Sequence, residues 1–229
     1  SVWKEAAYGF KYIFARPSLL GLQLTFFMGN LFAGIGFTVL APMILLKTGN
    51  DSLMLGSAQT AGAIGGLIGG VIMSAWGGFK RRTHGVLIGW ISSGIGMAVL
   101  GLTGGLPIWI AGMITTMITV PLVNGSNQAI WQSKVAPDVQ GRVFSARRLI
   151  AWFTTPISPI IAGTLAAFVL EPQMRTSSTL SGIFGGLVGA GPGAGMGIIL
   201  FFCGVLSTLV GAAGYFIPAI HNAESILPD

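Results

Sequence analysis

Charge is scarce in this sequence. Twelve Lys or Arg and six Asp or Glu supply all of its side-chain charge over 229 residues, while hydrophobic residues make up 52%. A soluble surface needs far more charge than this to stay in water, so an ordinary soluble domain is excluded. There is one cysteine, Cys203, set among Phe201, Phe202 and Gly204. A disulfide within the chain is therefore excluded, and the thiol reads as a small apolar packing group. No H-E-x-x-H, no paired Cys/His metal spacing and no phosphate-binding P-loop occur, so no metal or other cofactor is implied. Ser92 and Ser93 lack a G-x-S-x-G context, and His84 and His221 lie outside the apolar runs. An intramembrane serine protease is thus disfavoured. The two N-P-A half-helix loops of a water channel are missing. So are the period-two strands of an outer-membrane barrel.

What the chain has is long apolar runs. They extend from Leu19 to Leu46, Leu53 to Trp76, Val86 to Leu102, Leu106 to Trp131, Leu149 to Leu170 and Met196 to Ile220. About 20 apolar residues at 1.5 Å rise each match the ~30 Å hydrocarbon core of a bilayer. The fold class is an all-α membrane protein with six transmembrane helices, its bundle occupying residues 18–220. Ahead of it, Trp3, Ala7, Phe10 and Phe14 recur at helical spacing, with Lys4, Glu5 and Lys11 on other faces. Residues 1–17 are therefore predicted to form a short amphipathic helix on the membrane surface, ended by Arg16-Pro17. No cleavable signal peptide is expected. A chain opening at Ser1 on such a helix reads as the continuation of something longer.

Lys and Arg set the orientation. Lys4, Lys11 and Arg16 precede the first run, and Lys80, Arg81 and Arg82 join the second to the third. Lys134, Arg142, Arg147 and Arg148 join the fourth to the fifth, whereas only Lys47 and Arg175 fall on the opposite side. The positive-inside bias predicts that both basic connections, both termini and the 221–229 tail are cytoplasmic. These cations suit anionic lipid headgroups, and nucleic-acid binding is not expected.

Polar residues inside the apolar runs point to a site, because each is costly unless paired or wet. Gln23, Thr25 and Asn30 lie in the first run, and Gln59 and Thr60 in the second. The fourth carries Thr115, Thr116 and Thr119, then Pro121, Asn124, Ser126, Asn127 and Gln128. The fifth carries Trp152, Thr154, Thr155, Pro156, Ser158 and Pro159. Asn124 and Gln128, four apart, share a helical face. The third and sixth runs are poor in amides. Helices one, two, four and five are therefore expected to line a wet cavity, with three and six packed outside. Asn30, Gln59, Asn124, Asn127, Gln128 and Trp152 are the candidate lining residues. Small residues at Gly62, Gly65, Gly66, Gly69 and Gly70, at Gly85 and Gly89, and at Gly204, Gly211 and Gly214 mark helix contact faces, or faces that slide during a transport cycle. All six acids fall at run ends or in loops, so any ion-coupling group is expected elsewhere. The glycine-rich stretch from Gly189 to Gly195, with Arg175 to Ser181 before it, reads as a flexible turn.

Two connections carry a family resemblance. The stretch from Gly69 to Arg82, G-G-V-I-M-S-A-W-G-G-F-K-R-R, resembles the cytoplasmic loop signature of the major facilitator superfamily. Gly70, Gly77 and Lys80 fall on matching sites, while Ser74, Ala75 and Gly78 depart from the pattern. The stretch from Val135 to Arg148, V-A-P-D-V-Q-G-R-V-F-S-A-R-R, is similar to the corresponding loop of the macrolide-efflux and enterobactin-exporter branch, with Gly141 and Arg142 at its tight contact. S-P-I-I-A-G, Ser158 to Gly163, echoes the antiporter G-P-x-x-G motif, with Ser158 in place of its first glycine. The resemblance implies the C-terminal six-helix half of a twelve-helix bacterial exporter in the plasma membrane. It also implies an N-terminal half as partner, a small amphipathic substrate and proton antiport. A homodimeric half-transporter or channel, or a non-transporting assembly partner, is the alternative.

Overall fold

The computed structural model describes residues 2–175 and 179–226, with side chains from residue 7 onward. Ser1 and the end of the tail, 227–229, lie outside the described residues, as do the side chains of Trp3, Lys4 and Glu5. The protein is an all-α membrane protein. Six stretches of helix are long and apolar enough to cross a bilayer: Pro17–Thr48, Ser52–Trp76, Arg82–Gly101, Leu106–Lys134, Gln140–Arg175 and Ala194–Phe216.

The leading helix α1 (Val2–Phe14) packs along the start of the fifth span. Its contact face differs from the expected stripe: Ile13 and Gly9 are buried and Phe14 is exposed. Pro17 restarts the chain as α2 (Pro17–Thr48). At 1.5 Å per residue this 32-residue helix is longer than the bilayer core is thick. A left-handed cap at Gly49 and Asn50 ends it, and Asp51 opens α3 (Ser52–Trp76) by accepting the N–H groups of Leu53 and Met54 at 2.9 and 3.2 Å. Helix α4 (Arg82–Gly101) forms the third span.

Proline divides the fourth span. Pro121 has no N–H to give and crowds the preceding turn, so the run splits into α5 (Leu106–Ile118) and α6 (Val120–Lys134). The fifth span breaks likewise near Pro156, into α7 (Gln140–Trp152) and α8 (Thr154–Thr164). It continues through a π-helical turn at Leu165–Leu170 into α9 (Glu171–Arg175). Between the fifth and sixth spans the expected flexible turn is only partly realised. A helix, α10 (Thr179–Val188), precedes it, and the turn proper is confined to 189–193, where Gly189, Gly191 and Gly193 have positive φ. The sixth span is α11 (Ala194–Phe216), followed by α12 (Pro218–His221) and α13 (Ala223–Ile226).

Glycine sets the closest packing. Helices α4 and α11 run antiparallel with glycines seven apart on each: Gly94 and Gly101 face Gly204 and Gly197. A methyl group on Gly204 would lie 2.5 Å from the Gly94 carbonyl oxygen, and one on Gly197 would lie 2.9 Å from that of Gly101. The two backbones touch, as apolar solvent favours where only close contact holds helices together. On α3, Gly65 and Gly69 meet the α5 backbone in the same manner and Gly62 meets the Met113 and Met117 side chains, whereas Gly66 and Gly70 make no such close approach. The acids are not all loose ends, as the sequence suggested. Glu171 is buried, and its carboxylate accepts the N–H groups of Gly193 and Met196, both at 3.0 Å, tying the fifth span to the start of the sixth.

Candidate functional site

The main cavity is a cleft of about 710 Å³ between α2, α6, α7 and α8. Such a volume lies in the roughly 300–1,000 Å³ range of small-molecule sites. Each wall has a local cause. The Pro121 break lets α6 diverge from α5, which stays against α3, so Asn124 and Gln128 turn toward α2. The fifth span turns a polar stripe to the same space: Arg147, Ala151, Thr154, Thr155 and Ser158 recur at three- and four-residue spacing. From α2 come Gln23, Asn30, Gly34 and Thr38. Gly34 is also why Ser158 replaces a glycine in the S-P-I-I-A-G stretch. The Ser158 hydroxyl sits over Gly34, where a side chain would collide, and donates to the Leu31 carbonyl at 3.3 Å. Gly163, at the far end of that stretch, faces open space.

The candidate residues separate. Asn30, Asn124, Gln128 and Trp152 line the cleft, and Trp152 is 66% exposed. Gln59 does not. It is exposed on α3, which contributes nothing to this cleft, so the expectation that the second span lines it is corrected. The small-residue face of α3 packs on α5, and α3 supplies no residue to the cleft wall. Asn127 is also displaced from the wall. It is 1% exposed, and its Oδ1 accepts the indole N–H of Trp131 at 3.0 Å. That amide is a packing device inside the bundle. Helices α4 and α11 stay off the main cleft, as expected of the third and sixth spans. Trp90 and Ser93 of α4 do reach a neighbouring pocket of about 110 Å³, which shares Phe26, Asn30 and Asn124 with the cleft. The indole N–H of Trp90 is buried there with no hydrogen-bond partner.

Two cavity residues were read from sequence only as membrane anchors. Arg147, half-buried, donates to Gln128 Oε1 at 2.9 Å and lies over Trp131 at 5.1 Å, while Gln23 donates to its backbone carbonyl at 3.2 Å. Arg148, exposed, lies 5.8 Å over Trp152. Both line the cleft, and no carboxylate does. Their signal was the polar stripe of the fifth span, which Arg147 and Arg148 open.

The basic connections fasten one end of the bundle. Gly77 caps α3 in the left-handed conformation and its carbonyl accepts from Arg82. Arg81 donates to His221 O at 2.8 Å and to Asn222 Oδ1 at 3.0 Å. The Glu224 carboxylate accepts the N–H groups of Arg82 and Thr83 and the Thr83 hydroxyl, at 2.9–3.0 Å, capping α4 from the tail. Of the other loop candidates, Gly70 faces open space and Lys80 is exposed. Gly141 also has open space, though its carbonyl accepts from Ser145 at 2.8 Å. Arg142 holds α1: its guanidinium lies 4.9 Å over Tyr8, and its carbonyl presses on Gly9.

The chain is 26% identical over 151 residues to macrolide efflux protein A of Streptococcus pyogenes, covering 64% of this chain and 37% of that protein. It is 27% identical over 142 residues to macrolide efflux protein A of Enterococcus faecalis, covering 60% and 44%. This chain resembles bacterial efflux proteins. The matched stretch spans less than half the length of those relatives. No family model matches the chain, and no solved structure matches it.

Proposed function

We propose that this chain is one six-helix half of a major-facilitator-type exporter in the bacterial plasma membrane, and that the cleft is its share of the substrate compartment. The observation that carries the reading is the cleft itself: an amide-lined cavity opening on one face of the bundle, in a chain similar to efflux proteins. A second half, N-terminal to this one in the same transporter, closes the compartment. The halves rock to expose it alternately to either side of the membrane. Both termini and both basic connections face the cytoplasm, following the distribution of Lys and Arg. The substrate is a small amphipathic molecule, a drug, siderophore or secondary metabolite, expelled by proton antiport. Because no carboxylate lines the cleft, the proton is carried elsewhere in the transporter.

Asn124 is exposed on the cleft wall and its side chain makes no hydrogen bond among the described residues, so it can be replaced without unsettling the bundle. Asn124→Leu in the full-length protein is expected to lower efflux of a fluorescent amphipathic dye several-fold while membrane levels stay constant. Unchanged efflux would remove Asn124 from the compartment. The wider change of Asn124→Leu with Gln128→Leu is expected to lower export further, but it also takes from Arg147 its acceptor, so the single variant is the cleaner probe.

A further inference from the structure

The unusual feature of the cleft is its charge. Arg147 and Arg148 both line it and no acidic residue does. Arg147 is held by a neutral acceptor, Gln128 Oε1, at 2.9 Å, and its ring contacts with Trp131 and Phe144, at 5.1 and 5.9 Å, restrict it further. Arg147 lies two residues ahead of the fifth apolar run, which begins at Leu149, and its side chain lines the cleft. A cation facing the inside of a membrane bundle is costly until an anion joins it. The carboxylates that are well placed in this chain are committed elsewhere, Glu171 to Gly193 and Met196, and Glu224 to Arg82 and Thr83. The adjoining small pocket is lined in part by Trp90, whose indole N–H is buried with no hydrogen-bond partner among the described residues. Aromatic surface from Phe26, Phe144 and Trp152 completes the wall.

We infer that the exported substrate is an amphipathic anion: its oxyanion, a carboxylate or sulfonate, pairs with Arg147, and its apolar body lies against the aromatic wall. A planar guanidinium presents paired N–H donors that match such an oxyanion. The inference rests on the proposal that the cleft is the substrate compartment. Placed toward the cytoplasmic end, the two cations also raise the local concentration of anions at the cavity mouth before transport.

The test uses the full-length transporter, purified and reconstituted in neutral-lipid nanodiscs, and two dyes that differ by one sulfonate. These are 8-anilinonaphthalene-1-sulfonate and the uncharged N-phenyl-1-naphthylamine, followed by energy transfer from tryptophan. The sulfonate is expected to bind about tenfold more tightly than the neutral dye, the difference one added charge-assisted contact supplies. Arg147→Gln should abolish that preference by weakening the sulfonate alone. Gln128→Glu, which keeps the guanidinium but gives it an internal carboxylate, should do the same without loss of folded protein. Equal binding of the two dyes to the unaltered protein overturns the inference. If Arg147→Gln then also lowers the unfolding temperature sharply, the anion facing Arg147 belongs to the other half of the transporter. A preference that survives both substitutions overturns the inference equally. Loss of both dyes from the unaltered protein would instead remove the cleft as a binding compartment, and the parent proposal with it.

Discussion

Two amides three residues apart on α6 have opposite roles. Asn124 is exposed on the cleft, while Asn127 is buried against Trp131. Asn127→Leu leaves the Trp131 indole without its acceptor, which costs about 1–3 kcal/mol when the group is buried. Its expected effect is a lower unfolding temperature with efflux per folded molecule unchanged, the reverse of Asn124→Leu. Thermal unfolding of both variants beside their transport rates checks the assignment. A loss of efflux for Asn127→Leu at normal stability would return that residue to the cleft. The i, i+4 relation of Asn124 and Gln128 was legible in the sequence, because helical spacing alone puts them on one face. Which amide faces water was not legible. Asn30, for instance, lines the cleft yet spends its own N–H on the Phe26 carbonyl at 2.8 Å. Gln59 carries the same side-chain signal and sits outside the cleft altogether.

Helix packing shows the same division between what spacing tells and what contact decides. All the glycines of α3 looked alike by small-xxx-small spacing. Yet Gly65 and Gly69 lie against the α5 backbone, and Gly66 meets only the Met117 carbonyl at 4.0 Å. On α11, a methyl group at Gly204 would meet backbone atoms of both Gly94 and Ala98, which cannot swing aside. Gly204→Ala is therefore expected to destabilise the protein by about 1–3 kcal/mol, the cost of overpacking. Gly66→Ala should be neutral or slightly stabilising, since alanine is the better helix former by up to ~1 kcal/mol. Detergent-solubilised unfolding midpoints distinguish them. If both fall equally, the glycines serve backbone flexibility, and the close approach of α4 to α11 is not what they provide. The prolines belong to this scale as well. Pro121 and Pro156 were visible as breaks, but only the folded chain shows that they aim α6 and α8 at α2.

For the whole molecule, the cleft lies between α2, α6, α7 and α8, while α4 and α11 pack on each other through their glycines. On the proposed function, the cleft is one wall of a compartment that a second half closes. The native gene product is accordingly expected to run at roughly twice 23.7 kDa on an immunoblot raised against the tail around His221, as two six-helix halves in one polypeptide require. A band at this chain's own mass would instead favour a homodimer closing the compartment with a second copy. At the end carrying the basic connections, Arg81, Arg82 and Glu224 bind the tail to the start of α4, so its described part, 221–226, is part of the bundle.

By itself the sequence determined the medium, the number of spans and their class. Those follow from hydrophobic length against bilayer thickness and from the demand that backbone polar groups be satisfied within each segment. It also singled out polar residues of the first, second, fourth and fifth spans as candidate cavity lining. Tertiary structure alone decided which amide faces the cleft, that α3 stands away from it, and that Arg147 and Arg148 enter it as charges without an acidic partner among the lining residues. The physical reason is that polarity and spacing assign a residue to a helix face. Which neighbour that face meets depends on proline breaks and glycine contacts far away in the chain, and a pattern local to one span cannot encode them.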